Sequence, residues 1–252
     1  MRNLLQHWDG LSAIFRQQRL LLAFDYDGTL TLGPEANPDF AARVRSVLAR
    51  LHRPPERHVA IVSGRLLRHL RAEVGVEGLI YSGNHGLEIE APEFSHRTPL
   101  PADFRAVYER LRAALPAAAV IEDKELTLSV NFGMDWALRD QIMEAAEPWI
   151  ARDEIRVYRN KYALDVQPAV DWDKGRATRW IQARLASLQP QPVYPLFMGD
   201  DQTDETAFRA LRHDGLGVLV GQPRDSWASY YLPDARDVLE VMERISSLPC
   251  RL

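Results

Sequence analysis

Two aspartates, Asp25 and Asp27, close the apolar run LLAF and are followed by Gly28 and Thr29. An apolar run that stops at a glycine turn reads as a central strand. Residues i and i+2 of an extended chain share a face, so both carboxylates can address one crevice. Neighbouring anions repel unless a cation or a shared proton offsets them. The pair therefore suggests a hard-metal site beside a carboxylate nucleophile. Three further punctuated sites follow in order. They are Ser63-Gly64-Arg65 after the run AIV, Lys174 within Asp171-Trp172-Asp173-Lys174-Gly175, and Gly199-Asp200-Asp201-Gln202-Thr203-Asp204-Glu205 after another apolar run.

Together these residue types suit phosphoryl transfer. An ionised carboxylate can attack phosphorus and split one hard step into two. A second carboxyl group can protonate the leaving oxygen and then activate water. Charge developing on the phosphoryl oxygens needs fixed donors and cations. Ser63 offers a hydroxyl and Lys174 a mobile positive charge. Asp25 and Asp200 offer the oxygen ligands that magnesium prefers. Singly, each site has a plainer reading: an Asp-Gly turn, a Ser-Gly turn, a helix-surface lysine. Their order, each after an apolar run or at a helix start, favours the catalytic one.

The elements that must hold these sites can be read from periodicity. Leu4, Leu5, Trp8, Leu11, Ile14 and Phe15 have helical spacing. A strand follows at Leu20 to Phe24, then a helix from Asp39 to Leu51 with Pro38 at its start. His58 to Arg65 repeats the run-then-turn pattern, a helix from Leu66 ends near Gly75, and Gly78 to Glu90 reads as strand, polar turn, strand. After Ala91 the grammar changes. Helical patterns at Phe104 to Leu115 and Trp136 to Ile150 alternate with a strand over residues 118–132 and a hairpin, Ile155 to Pro168, turning at Arg159 and Asn160. This mixture predicts a small α+β module inserted into the first domain. Helix returns at Gly175 to Leu188, and Gly215 to Gly221 reads as the last buried strand. The fold class expected is α/β: a doubly wound, mainly parallel sheet core, residues 1–90 and 169–252, with an inserted smaller α+β module, residues 91–168, which the family resemblance given below implies is a cap domain.

Composition narrows the function classes. Hydrophobic residues make up 46% and charged residues 26% of 252, ordinary values for a globular protein. A net charge of −4 with no basic block argues against nucleic acid as partner. No run reaches the roughly 20 apolar residues of a membrane span, and the N-terminus has no signal-type apolar core. A cytoplasmic location is expected. Cys250 is the only cysteine, which excludes an internal disulfide and a cysteine metal site. His7, His52, His58, His69, His96 and His213 show no metal-ligand spacing. Trp136, Trp149 and Trp180 sit at helical positions and read as core.

FDYDGTL, AIVSGR, YSGNHGLE, WDKG and MGDDQTDE, in that order, resemble the haloacid dehalogenase superfamily of phosphatases. Within it, the chain is similar to the trehalose-6-phosphate phosphatase family from about Leu20 to Leu239. The resemblance implies that Asp25 is the nucleophile, Asp27 the general acid/base, and Ser63 and Lys174 the holders of the phosphoryl group. It implies magnesium held by Asp25, the Asp27 backbone carbonyl and Asp200, with Asp201 and Asp204 nearby. It implies substrate contacts from Gly64, Arg65, Asn84, His85 and Gly86, and sugar contacts from Glu122 and Lys124 in the module. Asp165-Val166-Gln167-Pro168 stands where many relatives in the family carry a glutamate and an arginine before the proline. The shorter acid and missing guanidinium leave the exact sugar open. The small-molecule substrate implied is trehalose 6-phosphate, with sucrose phosphate and a glucosylglycerol-type phosphate as alternatives. A sensor without turnover is the rival from another class, and the four intact motifs argue against it. The family's reaction completes a two-enzyme route, which suggests functional pairing with a trehalose-6-phosphate synthase.

Overall fold

The computed structural model describes residues 1–33, 37–160, 162–188 and 191–249; Cys250 lies outside them. The chain begins with β1 (Arg2–Asn3), α1 (Trp8–Gln17), β2 (Arg19–Phe24), α2 (Pro38–Leu51), β3 (Arg57–Val62), α3 (Leu67–Val74), β4 (Ile80–Gly83), β5 (Glu88–Glu90) and β6 (Ser95–Arg97). Next come α4 (Phe104–Ala114), β7 (Val120–Asp123), β8 (Leu128–Asn131), α5 (Trp136–Ile150), β9 (Ile155–Arg159) and β10 (Ala163–Pro168). The chain continues through α6 (Lys174–Leu188), β11 (Val193–Gly199), α7 (Glu205–Leu211), β12 (Leu216–Val220), β13 (Tyr230–Leu232) and α8 (Ala235–Ser247). Local chemistry sets several boundaries. Asn37 caps α2 by accepting from the Phe40 N–H at 2.9 Å, with Pro38 in the first turn. Gly75, at φ 62°, closes α3 in the left-handed conformation that glycine adopts without strain.

Two compact units result: Met1–His96 with Trp172–Leu252, and Arg97–Asp171. The first contains a nine-stranded sheet in the order β1-β13-β12-β11-β2-β3-β4-β5-β6. Its strands from β1 through β4 pair in parallel, and β5 is antiparallel to β4. The fully buried β2 explains the layers. Leu20, Leu22 and Phe24 face one apolar cluster with residues of α1, α2, α3 and α8. Leu21 and Ala23 face another with residues of α6 and α7. A strand covered on both faces must be apolar throughout, which is why LLLAF shows no polar alternation. From β2 the chain moves one way to β3 and β4 and later returns on the other side through β11 and β12. The β11–β2 boundary is therefore the topological switch point, where doubly wound sheets open a crevice at their carboxyl edge.

The second unit is an antiparallel sheet, β7-β8-β10-β9. Leu128, Val130, Leu164 and Val166 pack with residues of α4 and α5 on one face.

Three sequence readings are corrected. Residues 118–132 form two strands. Glu125 takes a positive φ of 69° and its N–H donates to Asp123 Oδ1 at 2.8 Å, turning the chain where no glycine or proline marks it. The 215–221 strand is not the last, since the short β13 pairs beside β12. Trp136 is exposed rather than core, with the Arg139 guanidinium 5.3 Å from its ring centroid.

Candidate active site

β11, β2 and β3 are adjacent and parallel, so the residues that follow them emerge on one edge. Those residues are Asp200, Asp25 and Ser63. The Asp25 N–H still donates to the Met198 carbonyl at 2.8 Å, so the carboxylate stands on the last rung of the ladder. Gly28 follows at φ 80°, and a Cβ there would collide with the Asp200 carboxylate. Only glycine allows the first and fourth motifs to approach so closely.

Lys174 enters from the start of α6. Its side chain is 1% exposed, and Nζ donates to Asp25 Oδ1 at 2.7 Å and to Asp204 Oδ1 at 2.8 Å. The other Asp204 oxygen accepts from the Asp200 and Asp201 N–H groups, both at 3.0 Å. Asp201 turns its carboxylate into its own loop, accepting from the Thr203 N–H and hydroxyl at 2.7 Å and from the Asp204 N–H at 3.1 Å. The Asp200 carboxylate accepts a long contact, 3.5 Å, from the Thr29 hydroxyl. Its backbone carbonyl and that of Asp201 accept from the Arg224 guanidinium at 2.9 and 3.1 Å, while Glu205 links Arg224, Ser226 and the Trp227 N–H.

Carboxylate oxygens of Asp25, Asp200 and Asp204 lie within 4.8 Å of one another. Burial pushes Asp25 up to about 8 despite the lysine, with Asp201 and Asp200 adding repulsion. Burial, then Asp204 and Asp201, push Asp200 up to about 7. Burial would lower Lys174, but Asp204 and Asp25 hold it well above its ordinary value. One ammonium thus faces several converging carboxylates, a charge balance that another cation would complete. An all-oxygen donor set fits a hard divalent ion such as magnesium.

The second motif carries Ser63, 1% exposed, whose Oγ accepts from the Arg65 N–H at 3.2 Å. Gly64 lies under the His85 ring, and any Cβ there would strike it. Asn84 and His85 take positive φ values of 50° and 57° and are held by N–H bonds to the Arg65 and Ser63 carbonyls at 2.8 and 2.9 Å. The Gly86 carbonyl accepts from the Trp172 indole N–H at 2.6 Å. Asp27 is more exposed and pairs with Arg65 through both oxygens, each at 2.7 Å.

Glu122, Lys124 and Asp165 lie in the second unit. Glu122 and Asp165 both stand opposite Ser129, and Asp165 also opposite Tyr158, which puts the four on one sheet face. Lys124 Nζ is 3.7 Å from Asp165 Oδ1, and Asn160 donates to the other Asp165 oxygen. Sequence reasoning did not single out Arg224 or Glu73 as site residues, and it quoted Trp172 only as part of WDKG. Arginine and glutamate outside a motif carry no local signal, and only topology brings those two in.

A buried lysine–aspartate centre at the switch point of a doubly wound sheet is the arrangement expected of a phosphohydrolase. The chain belongs to the trehalose-phosphatase family, whose profile matches residues 23–235. It is 30% identical to the probable trehalose-phosphate phosphatase 4 of Oryza sativa subsp. japonica over 96% of this chain and 70% of the relative. It is 31% identical to the trehalose-phosphate phosphatase of Mycobacterium marinum over 95% of this chain and 66% of the relative. Its fold matches the C-terminal domain of the C. albicans trehalose-6-phosphate phosphatase at a TM-score of 0.76 and 22% identity, covering 96% of this chain and 97% of that one. The chain is thus an enzyme, a phosphoric monoester hydrolase.

Proposed function

We propose that the chain hydrolyses trehalose 6-phosphate to trehalose and phosphate through a phosphorylated Asp25. The observation that carries the chemistry is the Asp25–Lys174–Asp204 arrangement. Lysine has three N–H donors, and two are engaged here. The third can meet a phosphoryl oxygen while the free Asp25 oxygen attacks phosphorus. The P–O bond to the sugar breaks as the Asp27 carboxyl gives its proton to the leaving oxygen. Asp27, then a carboxylate, takes a proton from the water that hydrolyses the acyl phosphate. Ser63 donates its hydroxyl to the transferring group. Asp204 and Asp201 shape the loop that presents Asp200. A magnesium ion held by Asp25, Asp200 and the Asp27 carbonyl would offset phosphoryl charge. The second unit acts as a cap, and Glu122, Lys124 and Asp165 read the sugar.

Phosphate release over a panel of trehalose 6-phosphate, sucrose phosphate, a glucosylglycerol-type phosphate and simple hexose phosphates tests the reading. Highest kcat/KM on trehalose 6-phosphate supports it. A preference for another sugar would refute the substrate, and no turnover of any would refute the enzyme.

A further inference from the structure

Asp27 is on the rim of the site, its side chain 54% exposed. A carboxyl group there could adopt many orientations, yet proton transfer needs one. The Arg65 guanidinium supplies a fixed geometry. Its Nε and Nη2 meet the two Asp27 oxygens, its Nη1 meets Glu73 Oε2 at 2.7 Å, and its Cζ lies 5.1 Å from the Tyr26 ring centroid. The Arg65 backbone is tied at both ends, N–H to Ser63 Oγ and carbonyl to the Asn84 N–H. An isolated exposed ion pair contributes little, but a bidentate fork braced on its far side belongs to the stronger kind. The fork uses one lone pair on each Asp27 oxygen and leaves another on each for a proton.

We infer that Arg65, braced by Glu73 on α3, is a positioning residue that orients the Asp27 carboxyl group for proton transfer. Glu73 thereby joins the working site although no motif contains it. The inference rests on the reading of Asp27 as the general acid.

Phenyl phosphate and p-nitrophenyl phosphate make the test, because they share a ring and differ in leaving-group basicity. The basic phenoxide needs the proton during P–O cleavage far more than nitrophenoxide does. For a phosphoenzyme mechanism, kcat/KM reports the first, phosphorylating half-reaction. General acid–base catalysis contributes on the order of a hundredfold or more, so partial misplacement should cost about tenfold. Glu73→Gln should lower kcat/KM about tenfold for phenyl phosphate and change it within about twofold for the nitro ester. Glu73 is half exposed, so the variant should fold, and an unchanged thermal transition checks this. Equal losses on both esters would overturn the inference and give the network a structural role. No loss, or a gain, would overturn it too, leaving a surface ion pair or a clasp that keeps Asp27 out of action. Asp27→Asn, measured alongside, separates the two readings. If it also spares phenyl phosphate, the acid assignment fails. If it strikes phenyl phosphate selectively while Glu73→Gln does not, only the positioning inference fails.

Discussion

Replacing Lys174 by Met keeps most of the side-chain volume and deletes the charge at the centre of the site. Two charge-assisted hydrogen bonds vanish, at 2.7 Å to Asp25 and 2.8 Å to Asp204, from a group 1% exposed. Removing one partner of a buried ion pair costs about 3–5 kcal/mol, because the other charge stays buried and unpaired. Burial already pushes both carboxyl groups toward their neutral forms, which draws the loss toward the lower end. For a chain of this size each kcal/mol moves the midpoint by roughly 2–4 °C, so Tm should fall by about 6–20 °C. Urea unfolding gives the free energy directly. Pairing the change with Asp204→Asn isolates the coupling. The double variant should be less destabilised than the sum of the singles by about 1–3 kcal/mol, because removing the lysine leaves one carboxylate fewer to strand. Turnover should fall about 10²–10³-fold, the loss typical of one fixed donor to developing charge. Strict additivity, or a Lys174→Met protein within 1 kcal/mol of the parent by the measure of an exposed pair, would refute the claim that this lysine neutralises the buried carboxylates.

Asp25→Asn should abolish phosphate release while leaving the unfolding transition in place; near-parental turnover would remove Asp25 from the nucleophile role. Chelation should stop activity and magnesium restore it, with calcium binding but supporting little turnover because its looser coordination misplaces the attacking oxygen; full activity in metal-free buffer would contradict this. Glu122→Ala and Lys124→Ala should lower kcat/KM on trehalose 6-phosphate by one to two orders of magnitude, about 1–3 kcal/mol for a lost polar contact, and leave p-nitrophenyl phosphate nearly unchanged; equal losses on both substrates would mean that they support the fold of the second unit. Burial, with His52 and Arg19 beside it, pushes His58 down to about 4 from an ordinary 6.5. Its unfolded form binds the proton first, so stability should drop as pH falls from 6.5 through 4, by at most about 3 kcal/mol; His58→Phe should flatten that part of the urea-midpoint profile, and an unchanged slope would clear His58 of the effect.

The doubly wound core was legible because its strands are apolar runs of the right length and end in glycine or aspartate turns. Arg19–Phe24 was found within a residue of its observed ends, and the apolar runs before Ser63 and Gly199 fall on β3 and β11. Helix α2 was equally plain, since Pro38 sits in its first turn. What escaped lacked chemical punctuation. The turn between β7 and β8 relies on Glu125 in a left-handed conformation, which a glutamate does not announce. β13 is three residues long and half-buried, too short for a period to emerge. In the site, the motif residues were named from sequence, but their partners were not. Arg224 reaches the Asp200 and Asp201 carbonyls from a loop more than twenty positions away, and Glu73 reaches Arg65 across one turn and the helix α3. Such contacts follow from topology, and a single sequence holds no record of them.

The fourth motif shows why a phosphatase loop needs three aspartates to present one. Asp201 spends an oxygen on the Thr203 and Asp204 amides, and Asp204 spends one on the Asp200 and Asp201 amides and the other on Lys174. Both are engaged as acceptors inside the fold, so neither is held in position by solvent. Asp200 accepts a long contact from Thr29, its carboxylate lies against Gly28, where a Cβ would strike it, and one of its oxygens is within 4.8 Å of one from Asp25. The loop thus uses two carboxylates as scaffolding and leaves the third close to Asp25, the proposed nucleophile. Arg224 completes the arrangement from outside by fixing the carbonyls of the two residues whose side chains diverge. Removing it should loosen both roles together. Supporting contacts around a metal centre typically matter by 10–100-fold in affinity, so Arg224→Met should weaken magnesium binding, followed by calorimetry, about tenfold. Unchanged binding would show that the two inward aspartates hold the loop unaided.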